Sequence, residues 1–159
     1  MDVLVLGGSV FVGKHLVDLL VARGDRVSVL NRGVTPSALP EGVEHLRADR
    51  TDLDQLREAL GGRSFDAVFD VSGFVMAAGG GDIDGLLDLL DGRVGSYVYV
   101  SSIMAYDQSL AGWFPWTEDM PTNPDGPTSY GGFKALSEAA TLTRHAATGF
   151  PASIVGPAA

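Results

Sequence analysis

Tyr130 and Lys134 stand four residues apart in the run Tyr130-Gly131-Gly132-Phe133-Lys134. On a helix that interval is about one turn, so a phenol and an ammonium share one face, where the cation can lower the phenol's pKa through its charge. An unperturbed tyrosine titrates near ~10, too high for an efficient general base at neutral pH, so a neighbouring cation has a chemical purpose. Ser101-Ser102 add hydroxyls that can hold a carbonyl or alcohol oxygen. Together these groups can move a proton. Tyr-x-x-x-Lys alone arises often by chance, and its weight depends on what surrounds it.

What surrounds it is a chain that opens on a glycine loop, Leu6-Gly7-Gly8-Ser9-Val10-Phe11-Val12-Gly13, directly after the apolar run Val3-Leu4-Val5-Leu6. A strand, a glycine loop and a helix in that order form the dinucleotide fingerprint. The first glycine permits the tight turn, the last lets helix and strand pack closely, and the helix N-terminus faces a pyrophosphate. Val10 occupies the place of the usual middle glycine and narrows the backbone's approach to phosphate. After the second strand an acidic residue would bind a ribose 2′-hydroxyl, whereas an arginine would accept a 2′-phosphate. Asn31-Arg32 stands there with no carboxylate, which favours NADP over NAD. Asp49, after the third strand, is placed to meet an adenine edge; its plainer role is to cap a helix at Thr51. With such a cofactor bound, the Ser, Tyr and Lys side chains would move a proton while a nicotinamide moves a hydride.

The elements that must position these residues alternate from end to end, as a parallel α/β sheet requires. Strands are expected at residues 3–6, 27–30, 43–46, 67–71, 97–100 and 152–155. The first is continuously apolar, as a strand buried on both faces should be. Helices are expected from about Gly13 to Gly24, from an N-cap at Thr51 to Gly61-Gly62, over residues 83–90 after the glycine-rich break Gly79-Gly80-Gly81, and over 129–147 up to Gly149. Right-handed crossovers then give a doubly wound parallel sheet of order 3-2-1-4-5-6, a Rossmann fold covering residues 1–159 as one NAD(P)-binding domain. Residues 107–128 hold both tryptophans and Pro115, Pro121, Pro124 and Pro127. There Trp113, Phe114, Trp116 and Glu118 either wall a substrate cleft or pack the loop against the sheet.

Composition narrows the field. Eleven basic against twenty acidic residues leave a net charge of −9, which disfavours a nucleic-acid partner. The absence of cysteine excludes disulfides and thiolate chemistry. His15, His45 and His145 lie far apart with no metal-ligand spacing and are expected at the surface, so no metal site is expected. No apolar run is long enough for a membrane span, no basic segment precedes the first strand, and a cytoplasmic location is the default expectation.

These residues resemble the extended and atypical short-chain dehydrogenase/reductases, a group that includes the NAD-dependent epimerase/dehydratases. The resemblance rests on the loop from Gly7 to Gly13, on Asp49-Arg50-Thr51-Asp52, on Tyr97-Val98-Tyr99-Val100-Ser101-Ser102 followed by Tyr106, and on Tyr130 to Lys134 with Glu138. It implies an NAD(P)-dependent oxidoreductase or epimerase/dehydratase acting on a sugar nucleotide or similar polar alcohol or carbonyl. By the same resemblance Ser102, four residues before Tyr106, is the catalytic hydroxyl and Tyr130 the acid/base. Lys134 then tunes Tyr130 and binds the nicotinamide ribose. Cofactor contacts are implied at Gly7, Ser9, Val10, Phe11, Val12, Gly13, Asn31, Arg32, Asp49, Arg50, Val71, Ser72 and Gly73, besides Tyr130 and Lys134.

The chain departs from the family pattern in four places. Val10 resembles the atypical branch, Val71-Ser72-Gly73-Phe74 replaces an Asn-Ala-Ala-type stretch, and Gly156 stands where arginine is usual. Family members also continue past the sixth strand into a substrate lobe, so a chain lacking most of that lobe is expected. A homodimer through the segments 83–90 and 129–147 is implied as well. The alternative function is a non-catalytic nucleotide sensor or an RNA-associated member of the atypical branch, resembling chloroplast stem-loop-binding proteins.

Overall fold

The computed structural model describes residues 1–35, 38–72, 83–110, 112 and 116–157. Six parallel strands form one sheet in the order β3-β2-β1-β4-β5-β6, which is the order expected from the sequence. They are β1 (Asp2–Leu6), β2 (Arg26–Asn31), β3 (Glu44–Arg47), β4 (Ala67–Asp70), β5 (Tyr97–Val100) and β6 (Ala152–Val155). The helices are α1 (Phe11–Ala22), α2 (Leu53–Leu60), α3 (Ile83–Leu90) and α4 (Tyr130–Thr148). Among the described residues no helix is long and apolar enough to cross a membrane.

The continuous apolar run of β1 has a direct structural cause. Val3 and Val5 face one way and pack with Val17 and Leu20 of α1 and with Val27 and Val29 of β2. Leu4 and Leu6 face the other way, into a cluster with Leu56 and Leu60 of α2, Leu86, Leu87 and Leu90 of α3, and Tyr97, Tyr99 and Phe150. A strand lined by helices on both faces has no polar side to offer. At the far edge β6 alternates half-buried and exposed residues, with Ala152 and Ile154 against the core.

Helix ends follow the expected chemistry with one correction. The N-cap of α2 is Asp52, not Thr51: its side chain accepts from the N–H groups of Asp54 and Gln55. Thr51 instead gives its backbone N–H and its hydroxyl to Asp49 Oδ1, at 2.9 and 2.8 Å. Ser129 caps α4 by accepting from the Gly132 N–H, and Gly149 ends that helix in the left-handed region at φ 74°.

Candidate functional site

The carboxyl ends of the strands meet a cavity of about 580 Å³. The glycine loop after the central strand β1 lines it. Gly7 sits at φ +99°, and a Cβ there would lie 2.7 Å from Ser72 Oγ. A Cβ on Gly13 would lie 2.2 Å from the Gly7 carbonyl oxygen, so the loop closes on itself only because both side chains are absent. Val10 is the N-cap of α1 and supplies no side-chain hydrogen bond. The orphan N–H groups of the helix's first turn thus receive no capping oxygen from the N-cap side chain. Val10 and Phe11 are 57% and 81% exposed, and Phe11 takes φ +44°, a left-handed value that costs a non-glycine residue energy. Ser9, Val10, Phe11 and Val12 all line the cavity, whereas Gly13 is buried behind the turn.

Asn31 and Arg32 line the cavity at the end of β2. The Asn31 amide donates to Ser9 Oγ at 2.8 Å and accepts from the Gly33 N–H at 2.7 Å. Its oxygen also lies 2.9 Å from His45 Nε2. His45 is therefore half-buried in a polar chain and is not the free surface histidine expected from the sequence. Asp49 faces the same space, 3.9 Å from the Arg32 guanidinium. The Thr51 backbone N–H and hydroxyl hold its carboxyl below the usual carboxylate range. Val34 and Thr35, which carry no fingerprint in the sequence, also line the cavity.

Arg50, expected as a cofactor contact, borders the cavity but turns its guanidinium inward. It donates to both oxygens of the fully buried Asp70 at 2.7 Å each and to Ser72 Oγ at 2.7 Å. Burial opposes its charge, and the Asp70 carboxylate more than compensates, so its pKa lies above the ordinary value. Tyr97 also donates to Asp70, at 2.8 Å. Ser72 Oγ in turn donates to the Leu6 carbonyl at 3.2 Å, tying this buried network to the glycine loop. Val71 and Ser72 line the cavity, and Gly73 lies outside the described residues.

Ser102, Tyr130 and Lys134 line the same cavity. Ser102 follows β5 and caps a short 3-10 turn, Ile103–Ala105, by accepting from the Met104 N–H at 3.2 Å. The glycine pair of Tyr130-Gly131-Gly132 brings α4 onto that turn. A Cβ on Gly131 would lie 2.0 Å from the Met104 carbonyl oxygen, and one on Gly132 1.9 Å from that of Gly126. Neither obstacle is a movable side chain. Gly131→Ala should therefore push the start of α4 away from the turn and destabilise the fold by about 1–3 kcal/mol, the usual range for overpacking. A thermal melt would read it, and an unchanged melting temperature would contradict this packing account.

Lys134 is only 2% exposed. Its ammonium donates to the Val100 carbonyl at 2.6 Å and lies 5.1 Å from the Tyr99 ring centre and 5.7 Å from that of Tyr130. Burial lowers its pKa from 10.5 to about 8, with Arg50 acting in the same direction and Asp70 and Glu138 opposing. Glu138 is raised by burial and pulled back by the Ser101 hydroxyl and Lys134. Trp116 packs edge-on against Tyr106, with ring centres 6.2 Å apart. That contact holds Trp116 to the residue that follows the 3-10 turn; Trp113 and Phe114 lie outside the described residues.

Comparison with known proteins places this geometry among relatives. The chain is 30% identical over 120 residues to the chloroplast stem-loop binding protein of 41 kDa b of Arabidopsis thaliana, covering 67% of this chain and 30% of that protein. It is 29% identical over 153 residues to a UDP-glucose 4-epimerase of Lactobacillus helveticus, covering 87% and 45%. A crystal structure of UDP-galactose 4-epimerase superposes with a TM-score of 0.80 at 24% identity, over 98% of this chain and 55% of that one. This last likeness is one of fold. The chain thus spans under half of these two curated relatives and about half of the solved one. The sequence profile of the NAD dependent epimerase/dehydratase family matches residues 3–158, almost the full length, and the chain belongs to that family.

Proposed function

We propose that this chain is the cofactor-binding, proton-transferring part of an NAD(P)-dependent oxidoreductase or epimerase/dehydratase. Its substrate would be a sugar nucleotide or a similar polar alcohol or carbonyl. The observation that carries the reading is that one cavity is lined both by the glycine loop and by Ser102, Tyr130 and Lys134. The cradle fits a dinucleotide: with no Cβ at Gly7 and Gly13 the loop packs tightly between β1 and α1, and Val10, which gives no side-chain cap, leaves the first turn of α1 to face the cavity. Ser9 and the backbone of residues 10–13 would hold the pyrophosphate, with Asn31 and Arg32 on one ribose and Asp49 beside the adenine. Val71 and Ser72 would bound the middle of the molecule.

Bound there, the nicotinamide supplies hydride transfer to or from carbon. The rest belongs to the chain's own residues. The Ser102 hydroxyl would donate to the substrate oxygen while Tyr130 gives or takes its proton. The buried Lys134 ammonium, aimed past the Tyr130 ring, would favour the phenolate and reach the nicotinamide ribose. Arg50 is assigned a supporting role through Asp70 and Ser72 instead of a direct contact. The same reading places a homodimer contact on α3 and α4, where Leu136 and Leu142 stand exposed.

The test is Tyr130→Phe, assayed by product analysis of UDP-hexoses and dTDP-glucose incubated with NAD+ or NADP+, with net reduced nicotinamide read only for an oxidoreductase outcome, alongside dinucleotide titration. Loss of the acid/base should cut turnover by about 10²–10⁴-fold and spare dinucleotide affinity. Full turnover in the variant would overturn the assignment. Likeness to the Arabidopsis stem-loop binding protein favours a second reading, a nucleotide-sensing or RNA-associated protein without turnover. The net charge of −9 weighs against it. Submicromolar binding of a stem-loop RNA at physiological salt, with no turnover on any sugar nucleotide, would decide for it.

A further inference from the structure

Glu138 stands one turn beyond Lys134 on α4, and the proposed function leaves it without a role. Residues at i, i+4 and i+8 drift only slowly around a helix, so Tyr130, Lys134 and Glu138 form one stripe. The stripe faces the end of β5. Lys134, Ala135, Ser137 and Thr141 are buried on that side, and the Lys134 ammonium reaches the Val100 carbonyl. Glu138 is itself half-buried, facing the Ser101 hydroxyl and the Lys134 ammonium, both of which favour its charged form. Ser101 borders the cavity beside Ser102 and is 3% exposed. Its Oγ is buried without a hydrogen bond of ordinary geometry among the described residues, and the carboxyl that faces it is that of Glu138. A buried hydroxyl without an acceptor is costly, and Glu138 is the group placed to supply one.

A buried ammonium stays charged only where an opposite charge offsets its lost hydration. Two carboxylates favour the Lys134 cation, Asp70 and Glu138. Asp70 is already committed: its two oxygens hold the Arg50 guanidinium at 2.7 Å each and one also takes the Tyr97 hydroxyl. Arg50 acts against the Lys134 charge, so the Asp70–Arg50 pair offers it little net attraction. Glu138 is the carboxylate left, and Lys134 is the cation that acts on it. The other elements against α4 bring no competing charge to this place. Strand β6 and the turns at 103–105 and 126–128 hold no titratable side chain. Tyr99 and Tyr106 are kept neutral, burial raising both, and Glu118 acts on Tyr106 alone of these groups. On the α3 side, Asp88 and Asp91 meet Arg144 near the far end of α4, and the Asp84 carbonyl lies beside the same arginine.

We propose that Glu138 is a positioning residue: its carboxylate keeps the buried Lys134 ammonium charged beside Tyr130 and anchors the Ser101 hydroxyl next to Ser102, so that the site retains its cation in more alkaline medium than burial alone would allow. Glu138 touches neither substrate nor cofactor and acts through Lys134. Its consequence for turnover rests on the reading of Tyr130 and Lys134 given above; its effect on the lysine does not.

The chain holds two lysines, Lys14 and Lys134, so carbon-13 NMR of the lysine side chains follows each through a pH titration without any turnover. Lys14, half-exposed on α1 and paired with Asp18, serves as the internal reference. Lys134 should titrate at about 8 in the wild-type chain. Glu138→Gln keeps the shape and an acceptor for Ser101 but removes the charge. The Lys134 midpoint should then fall by about one pH unit, with Lys14 unmoved. Glu138→Asp, which restores the charge, should recover most of that fall. Burial already opposes the Glu138 charge, so the neutral amide should be tolerated, which circular dichroism would verify. The alkaline limit of turnover should follow the lysine in both variants, a one-unit fall leaving about fivefold less charged lysine at pH 8. A Lys134 midpoint that stays in place in Glu138→Gln, or that Glu138→Asp fails to restore, would overturn the inference and leave the Tyr130 reading intact. A midpoint that moves while the turnover limit does not would overturn the link from Glu138 to the reaction. Absence of turnover in the wild-type chain would overturn the proposed function, with the lysine titration still deciding for or against Glu138.

Discussion

Replacing Lys134 with Met is expected to lower cofactor-dependent turnover by about 10²–10⁴-fold while changing folding stability at pH 7 by no more than about 2 kcal/mol. The two effects separate because the ammonium is badly placed for stability and well placed for chemistry. It is 2% exposed, and burial lowers its pKa from 10.5 to about 8. Keeping it protonated in the folded chain therefore costs about 3 kcal/mol relative to the unfolded one. Met fills a similar volume without that cost, but it leaves the Val100 carbonyl without the 2.6 Å donor, a loss of about 1–3 kcal/mol. The terms nearly cancel.

The pH dependence has opposite signs for activity and stability. Below pH 8 both folded and unfolded chains carry the proton and the cost is fully present. Between about 8 and 10.5 the folded chain has released the proton while the unfolded one still binds it, so stability from this group rises with pH. Turnover that needs the cation falls through the same lower limit. Denaturant melts at pH 7, 9 and 10 would show a rise in the wild-type chain that is absent in Lys134→Met. A Met variant that lost 4 kcal/mol at pH 7, or kept its turnover, would refute this account.

The largest loss of stability is expected from Asp70→Ala, about 3–5 kcal/mol by chemical denaturation. Asp70 is fully buried and accepts from both ends of the Arg50 guanidinium and from the Tyr97 hydroxyl. Removing it strands a buried cation with no counter-charge, which costs far more than the pair itself contributes. The pairwise nature of the effect can be checked directly. Arg50→Met with Asp70→Leu should be more stable than Asp70→Ala alone, because no charge is then left unpaired. Dinucleotide affinity should fall in Asp70→Ala as well, since Arg50 steadies Ser72, which lies against Gly7. A cost below about 1 kcal/mol would mean that another group or water takes over the guanidinium.

The sequence alone was enough for whatever depends on neighbours in the chain. The run Val3-Leu4-Val5-Leu6 leads into Gly7 to Gly13, and that order places a strand, a turn and a helix before any tertiary contact exists. Strand and helix alternation with right-handed crossovers then pointed to a doubly wound sheet of order 3-2-1-4-5-6, and the observed sheet has it. The interval from Tyr130 to Lys134 put both on one helical face for the same local reason.

What the chain order could not reveal was which groups find each other across the sheet. The pairing of Arg50 with Asp70 was not legible because the two are twenty residues apart and two intervening strands decide where β4 lies. His45 read as a surface residue because only the β2–β3 register sets it beside Asn31. Asp52 displaced Thr51 as the cap because Asp49 had already engaged the Thr51 hydroxyl and N–H. The need for glycine at 131 appeared only once the Met104 carbonyl was seen against it. Local pattern determined the elements and their order. Burial, charge pairing and close backbone approach, which depend on distances between segments remote in sequence, decided what each side chain is free to do.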